Sequence, residues 1–295
     1  MWSRIRRGCV IGLTVLVGAS TSLSASMRQG LAAPSPMGAL EFISPNAYGV
    51  AGVVTKDPSL MMDDVIALIQ GNTQALQNFE NYQAEHHVDI RHDLVEPLGN
   101  EFLVAVDGPI LPTPSWRIVI EVNDAARLQN TIERSIADVN REAAAHQEQG
   151  LTLTSETVGG RIFYSVGTKL PTEIHYTFWA GYMIIAPTRA MLMDAIQTHD
   201  TGNSLLRSAA FRSQLPADGR DFASGFVYQN IQAMTAALPV DVLKQTGVNT
   251  LPSLVCLYGE PNRIVMSSKG VLGMNVASMA GLTGMLNVMG LHGIK

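Results

Sequence analysis

The sequence is short of charge, of aromatic rings and of cysteine. Charged residues fill 15% of the 295 positions, aromatics 6%, and there are 2 cysteines. A soluble domain usually carries about 25% charge. Lys and Arg number 20 against 25 Asp and Glu, so the basic excess that a phosphate-binding surface needs is missing, and nucleic acid is not expected as a partner. Several chemical signatures are also absent. There is no Gly-x-Ser-x-Gly elbow, and Ser267-Ser268-Lys269 lacks the Ser-x-x-Lys spacing that sets an amine one helical turn from a hydroxyl. No Gly-x-x-x-x-Gly-Lys loop occurs, and the stretch from Gly49 to Gly52 is too short for a dinucleotide fingerprint, so no cofactor is expected.

What is present begins with an address. Arg4, Arg6 and Arg7 precede an uncharged stretch from Gly8 to about Ser26, most apolar over residues 9–17 and followed by small residues. That is the layout of a secretory signal peptide, and its apolar part falls well short of the ~20 residues of a membrane-spanning helix. A cleaved leader is expected, near Ser26 or near Ala33, with an uncleaved anchor as the lesser reading. Twin-arginine export is disfavoured because Gly8-Cys9-Val10 follows Arg6-Arg7, and Cys9 lacks the Leu and small residues of a lipoprotein site. The expected location is periplasmic or secreted. Loss of residues 1–33 removes four arginines and no acid, leaving 16 basic against 25 acidic residues, a net charge of -9. Cys9 leaves too, so Cys256 would stand alone, read as a small buried hydrophobe without an intrachain disulfide.

With 46% hydrophobic residues the chain has ample core, which excludes disorder. Residues 34–295 read as a single large domain with a helical N-terminal part to about residue 99. Ala33-Pro34-Ser35-Pro36 reads as a short linker, and residues 47–55 as a first strand. Asp57 and Pro58 start a helix whose apolar face is Leu60, Met61, Val65, Leu68 and Ile69; a second runs over residues 73–85; a third, capped by Asp89, ends at Pro97. Strands follow at 102–106 and 116–122, then a helix to about Gln149 with a stripe of Leu128, Ile132, Ile136 and Val139. Gly159-Gly160 and Ala180-Gly181 mark two hairpins, over 151–166 and 174–186. Helices are expected at 188–198, 204–215 and between 231 and 246, a strand at 222–228, and a last hairpin across Glu260-Pro261-Asn262.

Strands joined by hairpin-length turns, with helices between the hairpins, predict an α+β fold: a mostly antiparallel sheet with helices packed on it. Residues 116–137 and 182–198 share a strand, polar cap, helix order, a pattern open to a degenerate internal duplication.

Four segments carry a resemblance: residues 88–101 (Val-Asp-Ile-Arg-His-Asp-Leu-Val-Glu-Pro-Leu-Gly-Asn-Glu) before a strand, Gly160-Arg161-Ile162-Phe163-Tyr164, Tyr182-Met183-Ile184-Ile185-Ala186 before a helix, and Ser204-Leu205-Leu206 with Phe211. Together they resemble the bacterial exported proteins grouped as domain of unknown function 3352. The resemblance covers most of the chain after about Phe42. It implies an envelope or secreted α+β protein with no family catalytic residues to carry over.

One cluster has the composition of a metal site. Residues 85–93 hold His86, His87 and His92 beside Glu85, Asp89 and Asp93, and imidazoles with carboxylates are the usual ligands of zinc and other divalent ions. On that basis His86, His87, Asp89, His92 and Asp93 are candidate ligands, and a metal-dependent hydrolase is the alternative function. The spacing is not His-Glu-x-x-His, and the preferred reading is a helix cap at Asp89 with histidines on a wet loop. Trp116, Trp179 and Tyr182 lie in expected strands and read as packing residues.

The last feature is residues 271–294, from Val271 to Ile294, which contain no Asp, Glu, Lys or Arg and carry Met274, Met279, Met285 and Met289 among glycines. A strand plus a core-docked helix is the favoured reading, ahead of an interface for an envelope protein or membrane surface, and then of a membrane span. The expected function is a non-catalytic exported protein that binds a partner protein or an apolar ligand.

Overall fold

The computed structural model describes residues 31–70, 72–108, 115–167, 173–216, 220, 222–230, 252–260 and 263–268. The Pro109–Pro114 loop, the expected helices between 231 and 246, and residues 271–294 lie outside them, as do residues 1–30.

The described residues form an α+β fold on one antiparallel sheet. Its strands are β1 (Gly49–Val54), β2 (Leu98–Val106), β3 (Trp116–Val122), β4 (Thr152–Val158), β5 (Arg161–Gly167), β6 (Glu173–Trp179), β7 (Tyr182–Ala186), β8 (Gly225–Gln229), β9 (Ser253–Glu260) and β10 (Arg263–Ser268). They lie in the order β10, β9, β8, β1, β2, β3, β7, β6, β5, β4. Hairpins set most of that order. Gly159 and Gly160 sit at φ 58° and 78° with open space around them, the left-handed pair a two-residue turn requires between β4 and β5. Ala180 and Gly181 repeat the geometry between β6 and β7 at φ 48° and 84°.

The helices fill the longer connections. Between β1 and β2 come α1 (Pro58–Gln70), α2 (Thr73–His86) and a π-helical turn at Ile90–Val95. Asp57 accepts the Ser59 N–H, Asn72 caps α2, and Asp89 caps the π turn. Of the expected stripe of α1, Leu60 is 59% exposed and Met61 half-buried, the side chains of Val65, Leu68 and Ile69 lie outside those described, and Met62 and Ile66 pack on Val88 and Ile90. The turn after α2 lies over that side of α1 and thereby selects which apolar residues are covered.

Next, α3 (Ala125–Ala145) follows β3 and α4 (Arg189–Thr201) follows β7, capped by Asp124 and Thr188. Leu128 is buried and Ile132 packs beside it, but Gln129, Thr131 and Ala143 are the other buried positions of α3, and Ile136 and Val139 are only half-buried. Residues 204–215 do not form the single helix expected. They break into a 3-10 turn (Leu205–Arg207) and a one-turn α5 (Ala209–Arg212), because Ser208 between them is extended (φ -62°, ψ 127°) and its hydroxyl accepts the Phe211 N–H to cap a new turn. Among the described residues no helix is long and apolar enough to cross a membrane.

Strand periodicity divides the sheet into two faces. The first carries Val50, Leu103, Val119, Ile184, Tyr228 and Cys256, and is covered by residues 31–47, α4, Leu205 and Phe211. The second carries Val122, Tyr176 and Met183 under α3. The neighbouring units β3–α3 and β7–α4 therefore send their helices to opposite faces. Residues 33–36 are no free linker: Ser35 bridges Ala223, and Leu31, just before them, bridges Thr55. The fixed backbone of Pro34 and Pro36 holds Ser35 extended for that bridge.

Candidate functional site

The histidine cluster is spread over three backbone environments. His86 ends α2 with its ring 4.4 Å from that of Tyr82. His87 follows as a left-handed residue at φ 50°, its N–H closing the helix on the Gln83 carbonyl. His92 lies inside the π turn and meets Glu96 at 2.9 Å through Nδ1.

The acids nearby have structural partners. Asp89 accepts the His92 N–H at 3.0 Å, Asp93 accepts the Asp89 N–H at 3.0 Å, and Arg134 of α3 reaches Asp93 at 2.9 Å. Arg127 meets Glu96 at 3.2 Å, and Arg91 pairs with Asp63 of α1. Asp89 thus plays the capping role read from sequence, and these side chains lace α1, the π turn and α3 together. Among the described residues, no group of three or more His, Cys, Asp or Glu is gathered that could hold a metal ion.

A second polar cluster lies under the 3-10 turn Gly38–Phe42, on the first face. Arg117 of β3 sits 2.8 Å from Asp107, both side chains 3% exposed. Its other nitrogen reaches Asp194 of α4 at 2.5 Å, and it donates to the Phe42 carbonyl at 2.9 Å. Asp107 also accepts the Ser44 N–H at 2.9 Å. Burial pushes the Asp107 carboxyl above its ordinary range, against the pull of Arg117. Further back along β2, under the start of the same turn, Glu101 accepts the Ala39 N–H at 2.9 Å and the Tyr182 hydroxyl at 3.0 Å. Burial raises the Glu101 carboxyl, and burial with the Glu101 charge drives the Tyr182 hydroxyl far upward, so Tyr182 remains a donor. Each buried charge has a partner, and together these groups hold the turn at Ala39, Phe42 and Ser44.

A third, exposed cluster borders the same turn. The His199 ring stacks on Phe42 with centroids 4.6 Å apart, and its Nδ1 lies 3.0 Å from Asp200. Asp200 also accepts Trp179 Nε1 at 3.1 Å and Arg161 at 2.9 Å, while the Arg161 guanidinium sits 4.2 Å from the Trp179 ring centroid. The bond from His199 is the first reason the Asp200 carboxyl titrates below its usual range. The imidazole is oriented, and the acid is shared among three donors.

The reading from sequence missed the second and third clusters. A signal for the second was there: Arg117 and Glu121 alternate with Val119, and Glu101 alternates with Leu103 and Ala105, so period two puts charges on an aliphatic face. His199 and Asp200 gave no such signal, because their partners lie far away in sequence.

The remaining surface of interest is apolar. On the second face a cross-strand row runs Val255, Val227, Ala51, Val104, Ile118, Ile185, Tyr176 and Tyr164, each paired with the next. Beside it runs a row that includes Leu257, Val53, Phe102, Ile120, Met183 and Phe178. The ends toward β5 and β6 pack in the cluster under α3. From β9 to β3 the residues named in both rows stay half-buried and belong to none of the three clusters of buried residues, while Gly225, between Leu257 and Val53, is buried.

No family model, no curated protein and no solved structure matches the chain. The family resemblance read from residues 88–101 and the three shorter segments therefore assigns no residue a role.

Proposed function

We propose that this chain is an exported bacterial envelope protein, periplasmic or secreted, that performs no catalysis and acts by binding a partner protein or an apolar ligand. The export half rests on Arg4, Arg6 and Arg7 before a short apolar run that ends in small residues. One observation carries the binding half. Aliphatic side chains of five neighbouring strands, including Val255, Val227, Val104 and Ile118, keep intermediate exposure outside the buried clusters, and apolar surface kept within reach of solvent is where an apolar partner gains most. The uncharged residues 271–294 are a second candidate for the same work. The acidic balance favours neither nucleic acid nor an acidic surface as partner.

The test has two arms. Cell fractionation of the full chain should find it outside the cytoplasm. Titration of the folded protein with a fluorescent fatty acid should saturate, and Val104→Asn should weaken that binding at least several-fold while the protein still melts cooperatively. Absence of binding, together with stoichiometric zinc and zinc-dependent hydrolysis of a phosphoester, would replace this reading with the metallohydrolase.

A further inference from the structure

Resting on the export reading above, we infer that the leader is removed upstream of Leu31, in the small-residue run that ends at Ser26, and that residues 31–35 belong to the fold of the mature protein. The sequence offers small residues at the two recognition positions both in Ser24-Ala25-Ser26 and in Gly30-Leu31-Ala32. Composition does not separate the two sites. A cut after Ala33 would further set Pro34, which has no N–H, on the departing side of the bond.

The fold separates them. Leu31 is 7% exposed and bridges Thr55 at the end of β1, and the Ala32 N–H donates to the Val54 carbonyl at 3.0 Å. The same two residues lie against β9: a Cβ added at Gly259 would come within 2.8 Å of the Ala32 carbonyl oxygen and 3.1 Å of Leu31 Cβ. Ser35 then bridges Ala223 just before β8. Residues 31–35 thus tie β1 to β8 and β9, three neighbouring strands, and lead into the turn held by Glu101, Arg117 and Asp107. Cleavage after Ala32 or Ala33 would discard a buried Leu and a backbone hydrogen bond. Cleavage after Ser26 leaves four residues ahead of Leu31 and costs the fold none of these contacts.

The step itself is hydrolysis by a leader peptidase. The amide between Ser26 and Met27 breaks, water supplies the hydroxyl of the new Ser26 carboxyl group, and its proton goes to the new amine of Met27.

Intact mass and N-terminal sequencing of the full chain, expressed with its own leader and recovered from outside the cytoplasm, test the site. Met27 is the expected first residue, and any start from Thr21 to Met27 supports the inference; a start from Arg28 to Leu31 overturns the assigned cut while residues 31–35 stay in the mature protein. A start at Ala32 or later overturns it and leaves the export reading standing. Met1 still in place overturns processing, and its recovery from the cytoplasm overturns export as well. Leu31→Gln gives an independent readout because it leaves the small residues of both sites unchanged. The variant should keep the same N-terminus and melt roughly 3 °C or more below the parent, as loss of a buried aliphatic side chain in a chain of this size does. An unchanged melting temperature would show that Leu31 is no part of the fold and would overturn the structural half of the inference.

Discussion

The two faces of the sheet have similar chemistry and different cover. On the first face, residues 31–47, α4, Leu205 and Phe211 bring buried side chains from distant parts of the chain onto Leu103, Val119 and Ile184. On the second, α3 covers the half toward β6 and β5, and the rows through Val104, Ile118 and Phe102 remain half-buried. Adjacent residues of one strand, Leu103 and Val104, thus have different surroundings. The difference shows that strand hydrophobicity sets which faces can be closed, while the connections decide which are.

The largest expected effect tests how the first face is fastened. Arg117→Ala leaves Asp107 buried without its counter-charge and should cost about 3–5 kcal/mol by urea denaturation, whereas Arg117→Met combined with Asp107→Leu should recover most of it. A loss below about 1 kcal/mol for the single variant would show that the turn is held by packing alone.

The comparison between faces is tested most directly within β2. Leu103→Ala should cost about 2–5 kcal/mol as a cavity in a closed core. Val104→Ala, on the other face, should cost about 1 kcal/mol. Equal costs would mean that the second face is as fully closed as the first.

A smaller effect should appear as a pH dependence. A carboxyl raised in the fold binds its proton more tightly there than in the unfolded chain. Glu101 therefore supports folding at acid pH, and that support fades as pH rises from the ordinary 4.5 through the raised value. An amide cannot ionise but can still accept from Ala39 and Tyr182. The stability of the parent relative to E101Q should fall as pH rises across that window and level off above it; a difference that does not vary with pH would place the titrating groups elsewhere.

The smallest effects concern the histidine cluster, in the connection between β1 and β2. His86→Ala with His87→Ala should change stability by no more than about 1 kcal/mol, the range of surface substitutions. His87→Gly should stabilise by a few tenths to about 1 kcal/mol, since glycine accepts φ 50° without a Cβ clash. Stoichiometric zinc in the parent, lost with stability in the double variant, would restore the metal reading.

Much of the architecture was legible without coordinates. Gly159-Gly160, Ala180-Gly181, Asp57-Pro58 and Asp89 are local signals whose turn and cap geometry depends on neighbours a few residues away, and each appears where the sequence reading sets it. The long segment between β1 and β2 reads as helical for the same reason. The failures are equally physical. Leu60 and Met62 are equally apolar, so only the packing of Val88 and Ile90 decides which one α1 buries. Ser204 to Leu215 is a fair helix by composition, and it breaks at Ser208, which is extended there while Leu205 and Phe211 on either side of it are both buried in the core of the first face.

What the sequence determined by itself is local: which residues turn, which cap, which alternate, and hence an antiparallel α+β sheet. The tertiary structure decided everything that depends on partners distant in the chain. It paired Arg117 with Asp107 and Asp194, set Tyr182 on Glu101, oriented His199 through Asp200, and brought Leu31 onto β1 and β9. The physical reason is range. Backbone dihedrals and caps act over a few residues, whereas burial and charge pairing act between any two positions that the sheet order brings within a few ångströms.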